Sequence, residues 1–521
     1  MKIPRIARSL RWPLRIGAVA GVLLAGSGAY AIITGSALVK TLHPSSVAHV
    51  VQGALFLTNQ AGNPGLSYDV SFQEGDELFE TTFSAVDGVG ANVGKGERFT
   101  HVPRADLAGA TEWANHKPPR ATGPNAQSCA SCHSQPMQDG AGPVSNNVHR
   151  DPTHSGNISK FIQRNTTATF GLGALQRLAE EMTVDLFAQR KAAYTASCAQ
   201  GGIQIDTPLV SKGVSFGSTG VKCTGYYTGN LIVGVNTDLI VRPFQWKGSV
   251  ASLRTFNRDA ASEELGMQAQ ELLPTFFDGD GDGVTNELSV GDITAITIYL
   301  AAQPRPTSKV ELSSLGLIPA LTTAQSDEIA LGSTTFDQIG CNGCHVRQMK
   351  LIDPIFSEPS LNSNYRDALF PGGQNPITYG LDPTQATRFD LTLDQKDNVL
   401  KDASGQVTFR LGSFQKDAQG QAVIELLSDL KRHNMGNGLA EQIDEVGTGA
   451  SVFMTRPLWG VGSTAPYLHD GRSTTLTEAI LEHGGEAQTA STAFVALPVA
   501  SQKAVIAFLN NLVLFKTPLL P

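Results

Sequence analysis

The sequence predicts a mainly α-helical protein built from two domains, and three observations lead to this fold class. Apolar residues recur with helical spacing in several segments, most clearly over residues 175–194, and further helices are predicted over residues 323–340 and, as two helices, over residues 474–514. The chain of 521 residues is long enough to bury two or three separate cores. The motif Cys-x-x-Cys-His occurs twice, at residues 129–133 and 341–345, so each half of the chain carries one copy.

The repeated motif is the attachment sequence of a c-type haem. Two thiols a little over one helical turn apart bond to the vinyl groups of one porphyrin, and the histidine ligates the iron from the same side. A redox dithiol or half of a zinc site is the alternative, but a dithiol does not need the histidine and zinc needs a second pair nearby. We therefore predict two covalently bound c-type haems, held by Cys129, Cys132, His133, Cys341, Cys344 and His345.

The predicted architecture places one haem in each domain. Residues 40–310 form an N-terminal haem domain and residues 311–521 form a C-terminal haem domain. The boundary follows an apolar helix predicted over residues 290–302, which a Pro-Arg-Pro sequence ends. The predicted fold class is thus mainly α, with two cytochrome-c-like haem domains and with loop-rich and small β insertions.

The small β insertion is predicted within residues 199–243, where Gly-rich segments alternate with β-branched ones. Cys198 and Cys223 are the two cysteines outside the haem motifs, and they flank or belong to this segment. We predict that they form a disulfide, which is typical of an oxidising compartment, with two free thiols as the alternative.

Residues 1–39 are predicted to be a signal peptide or a membrane anchor. Five Lys and Arg side chains precede an uncharged run over residues 16–39. The run is long enough to span a bilayer, and Ala29-Tyr30-Ala31 resembles a cleavage site, so both alternatives stay open. Either one predicts export to the periplasm, as a soluble protein or one tethered to the inner membrane.

The charge of the chain bears on its partners. The net charge of −8 includes five positive side chains in residues 1–39, so the exported body is more acidic still. This argues against nucleic acid as a partner and is compatible with a small electron-donor protein or a quinol-linked donor. The sequence does not determine the oligomeric state.

A candidate Ca²⁺ site lies in the predicted N-terminal domain. Asp278, Asp280 and Asp282 alternate with glycines and begin like an EF-hand loop. The twelfth position is Ser289, so Glu287 is the nearest carboxylate that can complete the site. Three adjacent carboxylates repel one another without a cation, and a solvated acidic turn is the alternative.

The sixth iron ligand decides the role of each haem, since two strong ligands make an electron carrier and an open position makes a catalyst. For the second haem, Met454 is the favoured ligand and His469 the competitor. Each also has an ordinary structural interpretation, as a core side chain or a hydrogen-bonding imidazole. For the first haem no ligand stands out, although His149 and His154 follow its motif closely.

Several short segments follow one another along the chain: GDELF at 75–79, GPNAQS at 123–128, DGDGDGVTNE at 278–287, HNMG at 433–436, and PLWG at 457–460 leading to APYLHDGR at 465–472. In this order they resemble the bacterial di-haem oxidoreductases, which are related to the di-haem cytochrome c peroxidases and to MauG. The resemblance covers most of residues 74–515.

The resemblance implies roles for individual residues. Met454, which with Arg456 matches the Met-x-Arg element of the wider superfamily, becomes the sixth ligand of the electron-transfer haem. Trp246 corresponds to the tryptophan that lies between the haems. Glu264 corresponds to the carboxylate that serves peroxide chemistry, with its neighbour Glu263 as the alternative. The glutamine of the peroxidases is not matched, and Phe256 falls near its place.

These roles predict a peroxidase-like enzyme with a catalytic haem on His133 and an electron-entry haem on His345. Splitting peroxide needs a group that takes a proton from the near oxygen and delivers it to the far one, which a partly buried carboxylate does. The enzyme reduces hydrogen peroxide or uses it to oxidise a substrate. An O₂-dependent di-haem oxygenase and a non-catalytic electron-transfer cytochrome are the alternatives.

Overall fold

The computed structural model describes residues 40–42, 47–55, 64–91, 117, 124–155, 157–225, 227–402 and 404–517. The signal peptide or membrane anchor predicted for residues 1–39 lies outside these ranges. Among the described helices, none combines the length and the apolar character needed to cross a bilayer.

The helices of the described chain alternate with loops and short strands. They are α1 (Pro64–Glu80), α2 (Cys129–Cys132), α3 (Leu172–Ala199), α4 (Leu253–Ala260), α5 (Val290–Ala301), α6 (Lys309–Ser314), α7 (Thr323–Gln338), α8 (Leu476–Leu481), α9 (Gln488–Ala496) and α10 (Val499–Asn511). A π-helical turn, Ala261–Leu265, continues α4.

The strands form antiparallel pairs and one larger sheet. They are β1 (Lys40–Leu42), β2 (Ala48–Val50), β3 (Val148–Arg150), β4 (Ile162–Arg164), β5 (Ile205–Ser211), β6 (Val214–Val221), β7 (Tyr227–Ile232), β8 (Thr307–Ser308), β9 (Met349–Leu351), β10 (Ile355–Glu358), β11 (Thr387–Asp390), β12 (Val399–Lys401), β13 (Val407–Arg410), β14 (Ala422–Ile424), β15 (Arg432–Asn434), β16 (Val452–Met454) and β17 (Leu512–Val513). The one three-stranded sheet of the described chain has the order β5-β6-β7.

The predicted fold class, mainly α with two cytochrome-c-like haem domains, is wrong. The structure is 37% helix and 16% strand, and nothing in its described part identifies a cytochrome-c-like unit. The physical reason is that many strands are only three or four residues long, which is too short for apolar periodicity to reveal. Their pairing depends instead on turns, such as the Asp402 to Gly405 turn between β12 and β13.

Several individual predictions are confirmed. Helices α3, α5 and α7 lie where helical spacing predicts them, and Cys198 and Cys223 form a disulfide. Residues 474–514 hold three helices rather than the two expected.

The principal hydrophobic core crosses the predicted domain boundary at residue 310. Leu175 and Tyr299 belong to it, together with Met349, Phe356 and Leu391 from the predicted C-terminal domain. The division into two haem domains therefore stays a prediction, since buried side chains from both sides of the boundary share one cluster.

Two glycines allow helices to approach closely. Gly75 places α1 against the backbone of α5, and a Cβ there would clash with the carbonyl of Ala295. Gly332 does the same between α7 and α10, where a Cβ would clash with the carbonyl of Ala504. Close backbone contact of this kind is a general reason for glycine within a helix.

We predict that Gly332→Ala lowers the free energy of unfolding by about 1–3 kcal/mol, because overpacking of two helices outweighs the better helix propensity of alanine. Chemical denaturation of the purified protein measures this. Gly438→Ala is the control, because nothing lies within 4 Å of the added Cβ. Equal stability of both variants would contradict the close packing of α7 and α10.

Candidate functional site

Each Cys-x-x-Cys-His motif lies on the wall of a large cavity. Cys129, Cys132 and His133 line a cavity of about 170 Å³, here called the first cavity. The second cavity, of about 390 Å³, is lined by Cys341, Cys344 and His345. The second volume falls within the range of about 300–1,000 Å³ that is usual for small-molecule and cofactor sites.

The first motif is held by a short capped helix. The side chain of Ser128 accepts a hydrogen bond from the amide of Ser131 and caps α2, which contains both cysteines. His133 follows, and its Nδ1 lies 3.1 Å from the carbonyl oxygen of Gly140. A carbonyl accepts only, so Nδ1 carries the proton and Nε2 keeps its lone pair for a metal.

The histidine of the second motif is held in the same way, although its cysteines lie at a 3-10 turn, Cys341–Gly343, without a side-chain cap. The Nδ1 of His345 lies 2.9 Å from the carbonyl oxygen of Leu427, which leaves Nε2 as the free nitrogen. Burial lowers the pKa of His345 to about 4, and burial also lowers the pKa of His133. Both imidazoles are therefore neutral near pH 7, which is the state that ligates iron.

The four motif cysteines are not paired with one another in the described chain. Burial raises the pKa of Cys129 to about 12 and that of Cys341 to about 11. Thiols that stay protonated at neutral pH are poor redox nucleophiles. The lining residues thus fit a haem better than a redox dithiol, while covalent attachment stays a prediction.

Trp246 lies in the wall between the two cavities and lines both. Its indole N–H donates to the carbonyl oxygen of Asn165 at 2.9 Å. Its own carbonyl accepts the amide of Met454 at 2.9 Å, and the amide of Asn165 donates to the carbonyl of His469. Trp246 is thereby linked to the backbone of both sixth-ligand candidates, directly to Met454 and through Asn165 to His469.

Glu264 lines the first cavity and lies on the π-helical turn, a feature often found at functional sites. Its Oε2 accepts a hydrogen bond from Nδ2 of Asn125 at 2.9 Å. The amides of Asn125 and Ala126 donate to its backbone carbonyl. Burial, reinforced by the charge of Glu263, raises the pKa of Glu264 to about 8. This carboxyl therefore exchanges its proton near neutral pH.

Glu263, the alternative acid, has a different environment. It forms an ion pair with Arg150 at 2.6 Å, and 22% of its side chain is exposed. Glu263 is committed to this ion pair, so Glu264 is the better candidate for proton transfer. Phe256 also lines the first cavity, whereas His149 and His154 are absent from its described lining.

Met454 and His469 both line the second cavity. Met454 ends β16 and is buried. The imidazole of His469 stacks on Phe453 with 4.3 Å between ring centroids, and its Nε2 lies 3.6 Å from Glu441. Burial lowers the pKa of His469 to about 3, so it is neutral. The structure thus brings both predicted ligands to one wall and engages His469 with other side chains.

Comparison with known proteins bears directly on this wall. Residues 401–512 match the family model "Di-haem oxidoreductase, putative peroxidase". The match includes β15, β16 and both sixth-ligand candidates. It confirms the family resemblance over this segment, and the matched family is named for a di-haem oxidoreductase.

No curated protein matches the chain significantly. Among solved structures, a match is described as a MauG-like protein associated with microbial copper homeostasis. It is 14% identical in sequence with a TM-score of 0.25, and the alignment covers 56% of this chain and 77% of that one.

A buried network of charges begins at the first cavity and extends to Glu441, which lies beside His469 of the second cavity, and the sequence did not predict it. Arg150 pairs with Glu445 at 2.9 Å, and Arg164 pairs with the same carboxylate at 2.5 Å. Arg164 also pairs with Glu441, which lies 3.4 Å from Lys247. Nothing in the sequence relates these residues, because the fold joins positions about 280 apart in number.

His433 is a second site residue that the sequence analysis left without a role. It lines the second cavity, its Nε2 lies 2.7 Å from Asp429, and its Nδ1 lies 2.7 Å from Glu486. Burial opposes its charge, but the hydrogen bond with Asp429 and other nearby groups raise the pKa of His433 to about 11. The HNMG segment at residues 433–436 was the sequence feature that could have identified His433 as a site residue. Met435 and His483 line the same cavity.

Three of the four residues predicted for the Ca²⁺ site lie close together. Ligand oxygens of Asp278, Asp280 and Asp282 lie within 4.8 Å of one another, and Glu287 is not part of this group. Instead Glu287 is buried and accepts the amide of Gln268 at 2.8 Å. Calcium binding stays a prediction for the three aspartates.

We predict that His433→Gln lowers the free energy of unfolding by about 3 kcal/mol at pH 6, because Asp429 loses its buried cationic partner. The folded-state pKa of about 11 lies above the ordinary 6.5, so the contribution is complete below pH 6.5 and is lost as the pH rises towards 11.

Chemical denaturation at pH 6 and pH 9.5 measures both effects. Glu486→Gln is the control, and it should cost less because 53% of the Glu486 side chain is exposed. A loss that grows with pH would show that His433 is neutral in the folded protein.

Proposed function

We propose that this di-haem oxidoreductase is a peroxidase-like enzyme that reduces hydrogen peroxide, or uses it to oxidise a substrate. Its first cavity would hold the catalytic haem and its second cavity the haem through which electrons enter. One observation supports this more than any other. A buried carboxyl with a pKa near 8 shares a cavity with the first Cys-x-x-Cys-His motif, and Trp246 joins that cavity to the second.

The residues that would hold the haems are those of the two motifs. A haem bound in the first cavity would supply an iron at which peroxide coordinates and its O–O bond is reduced. His133 is oriented for this by Gly140, since Nδ1 is the protonated nitrogen. His345 is oriented in the same way by Leu427.

Glu264 supplies the proton chemistry. With a pKa near 8, a substantial fraction of this carboxyl is ready either to accept or to donate a proton at neutral pH. The amide of Asn125 orients one carboxylate oxygen, and the backbone amides of Asn125 and Ala126 hold the peptide that carries it. Burial raises the pKa of Glu264, and the charge of Glu263, which pairs with Arg150, raises it further.

Trp246 supplies the path for electrons. It lines both cavities, and its carbonyl is bonded to the amide of Met454. The path from the second cavity to the first therefore crosses one hydrogen bond and one aromatic side chain. Met454 is the proposed sixth ligand, because His469 is stacked on Phe453 and turned towards Glu441.

Export and the electron donor also belong to this proposal. The Cys198–Cys223 disulfide is compatible with a periplasmic location, since disulfides persist in oxidising compartments. The donor would be a small protein or a quinol-linked carrier that delivers electrons to the second haem. The negative net charge of the chain suits a donor with a basic surface.

Glu264→Gln should lower kcat/KM for peroxide by about 10²–10⁴, because the amide cannot carry the proton. Peroxide consumption by the purified holoprotein measures this, with the optical spectrum showing that both haems are retained. Glu263→Gln is the matched control and should cost less than a tenth as much activity. A larger loss of activity in Glu263→Gln than in Glu264→Gln would identify Glu263 as the proton-transfer residue.

The pH dependence should follow the same carboxyl. If its ionised form accepts the first proton from peroxide, kcat/KM in the parent protein rises with pH to a plateau above about 8. The rise should vanish in Glu264→Gln. A rise that persists in this variant would assign the ionisation to another group.

Trp246→Phe should slow electron transfer from the second haem to the oxidised first haem by about tenfold, equivalent to about 1.4 kcal/mol of activation free energy. Stopped-flow spectroscopy after one equivalent of peroxide measures this rate. Trp459→Phe is the control, because Trp459 lines only the second cavity among those described. Equal rates in both variants would remove Trp246 from the path.

A further inference from the structure

Three arginines line the first cavity, and one of them differs from the others. Arg150 pairs with Glu263 and Glu445, and Arg164 pairs with Glu441 and Glu445. Arg456 has no ion pair of this kind with any described residue. Its guanidinium donates to the carbonyl oxygen of Pro243 at 3.1 Å and lies 6.0 Å from the ring centroid of Trp246.

The position of Arg456 is as distinctive as its lack of a carboxylate. It lines both cavities, as Trp246 does, so its charge faces the space on either side of the shared wall. Burial is the one cause that shifts its pKa, which falls to about 10, so the side chain remains a cation at neutral pH.

A partly buried cation without an anion is unfavourable, because the protein does not replace the hydration that the charge loses. The neighbouring arginines show how this protein resolves the problem, since each has two glutamates. A guanidinium also matches a carboxylate better than other anions of its size, through two parallel N–H donors. The missing partner of Arg456 is therefore expected to be a carboxylate that enters with a ligand.

We propose that Arg456 binds a haem propionate at the wall between the two cavities. The propionate is the carboxylate that any haem in either cavity brings with it. Its pairing with Arg456 would place a fixed positive charge beside the haem edge and next to Trp246, where it stabilises the reduced state. This proposal rests on haem binding and is independent of whether the protein turns over peroxide.

The test uses the purified holoprotein and measures the reduction potentials of both haems by spectroelectrochemical titration. Arg456→Gln should shift at least one potential downwards, because the positive charge is lost. Arg456→Lys should retain most of that potential, because the charge is kept. Arg388→Gln, the same change at an exposed position, is the control and should shift neither potential. Unchanged potentials in Arg456→Gln would overturn the proposal.

Two further measurements separate the propionate from a free anion and cover a variant that fails to fold. Acetate titrated into the parent protein should change neither potential, whereas an acetate dependence that disappears in Arg456→Lys would assign the site to a soluble carboxylate and overturn the propionate. The resonance Raman propionate-bending band should shift in Arg456→Lys, which loses the paired donors. A band at the same position would also overturn the assignment.

Discussion

The hydrogen bond between the amide of Met454 and the carbonyl of Trp246 is the contact on which the site depends. It joins a candidate iron ligand on one cavity to the aromatic residue that faces the other. The indole N–H donates to the carbonyl oxygen of Asn165, so the ring cannot rotate without losing a partly buried hydrogen bond. Backbone contacts of this kind fix the two cavities relative to each other, which the proposed electron transfer between two haems would require.

Charge is distributed around this wall in an ordered way. Arg150, Arg164 and Lys247 are each compensated by glutamates, which makes their burial tolerable. Glu263 and Glu264 are neighbours in sequence, yet the π-helical turn gives the first an arginine and the second an amide. Two identical side chains thereby acquire different surroundings, and in that of Glu264 burial raises the pKa to about 8. Arg456 is the exception, because it pairs with no described carboxylate, and its proposed partner is a haem propionate.

Much of the site was predictable because its chemistry is encoded locally. The haem motifs, Trp246, Glu264 and Met454 each lie in short recognisable segments, and the structure places all of them on the two cavities. The helices α3, α5 and α7 were predictable for the same reason, since their apolar spacing is long enough to identify. The mainly α fold class failed because short antiparallel ribbons carry little periodic signal.

By itself, the sequence predicted which residues would attach to haem, and it determined which segments are long helices and which cysteines form the disulfide. The tertiary structure decided the partners of the charged groups. Arg150 meets Glu445, and His433 meets Glu486, across stretches of chain that no local pattern connects. The pKa of a side chain and the identity of the free nitrogen in a histidine depend on burial and on groups within a few ångströms. Those groups come together only when the chain folds.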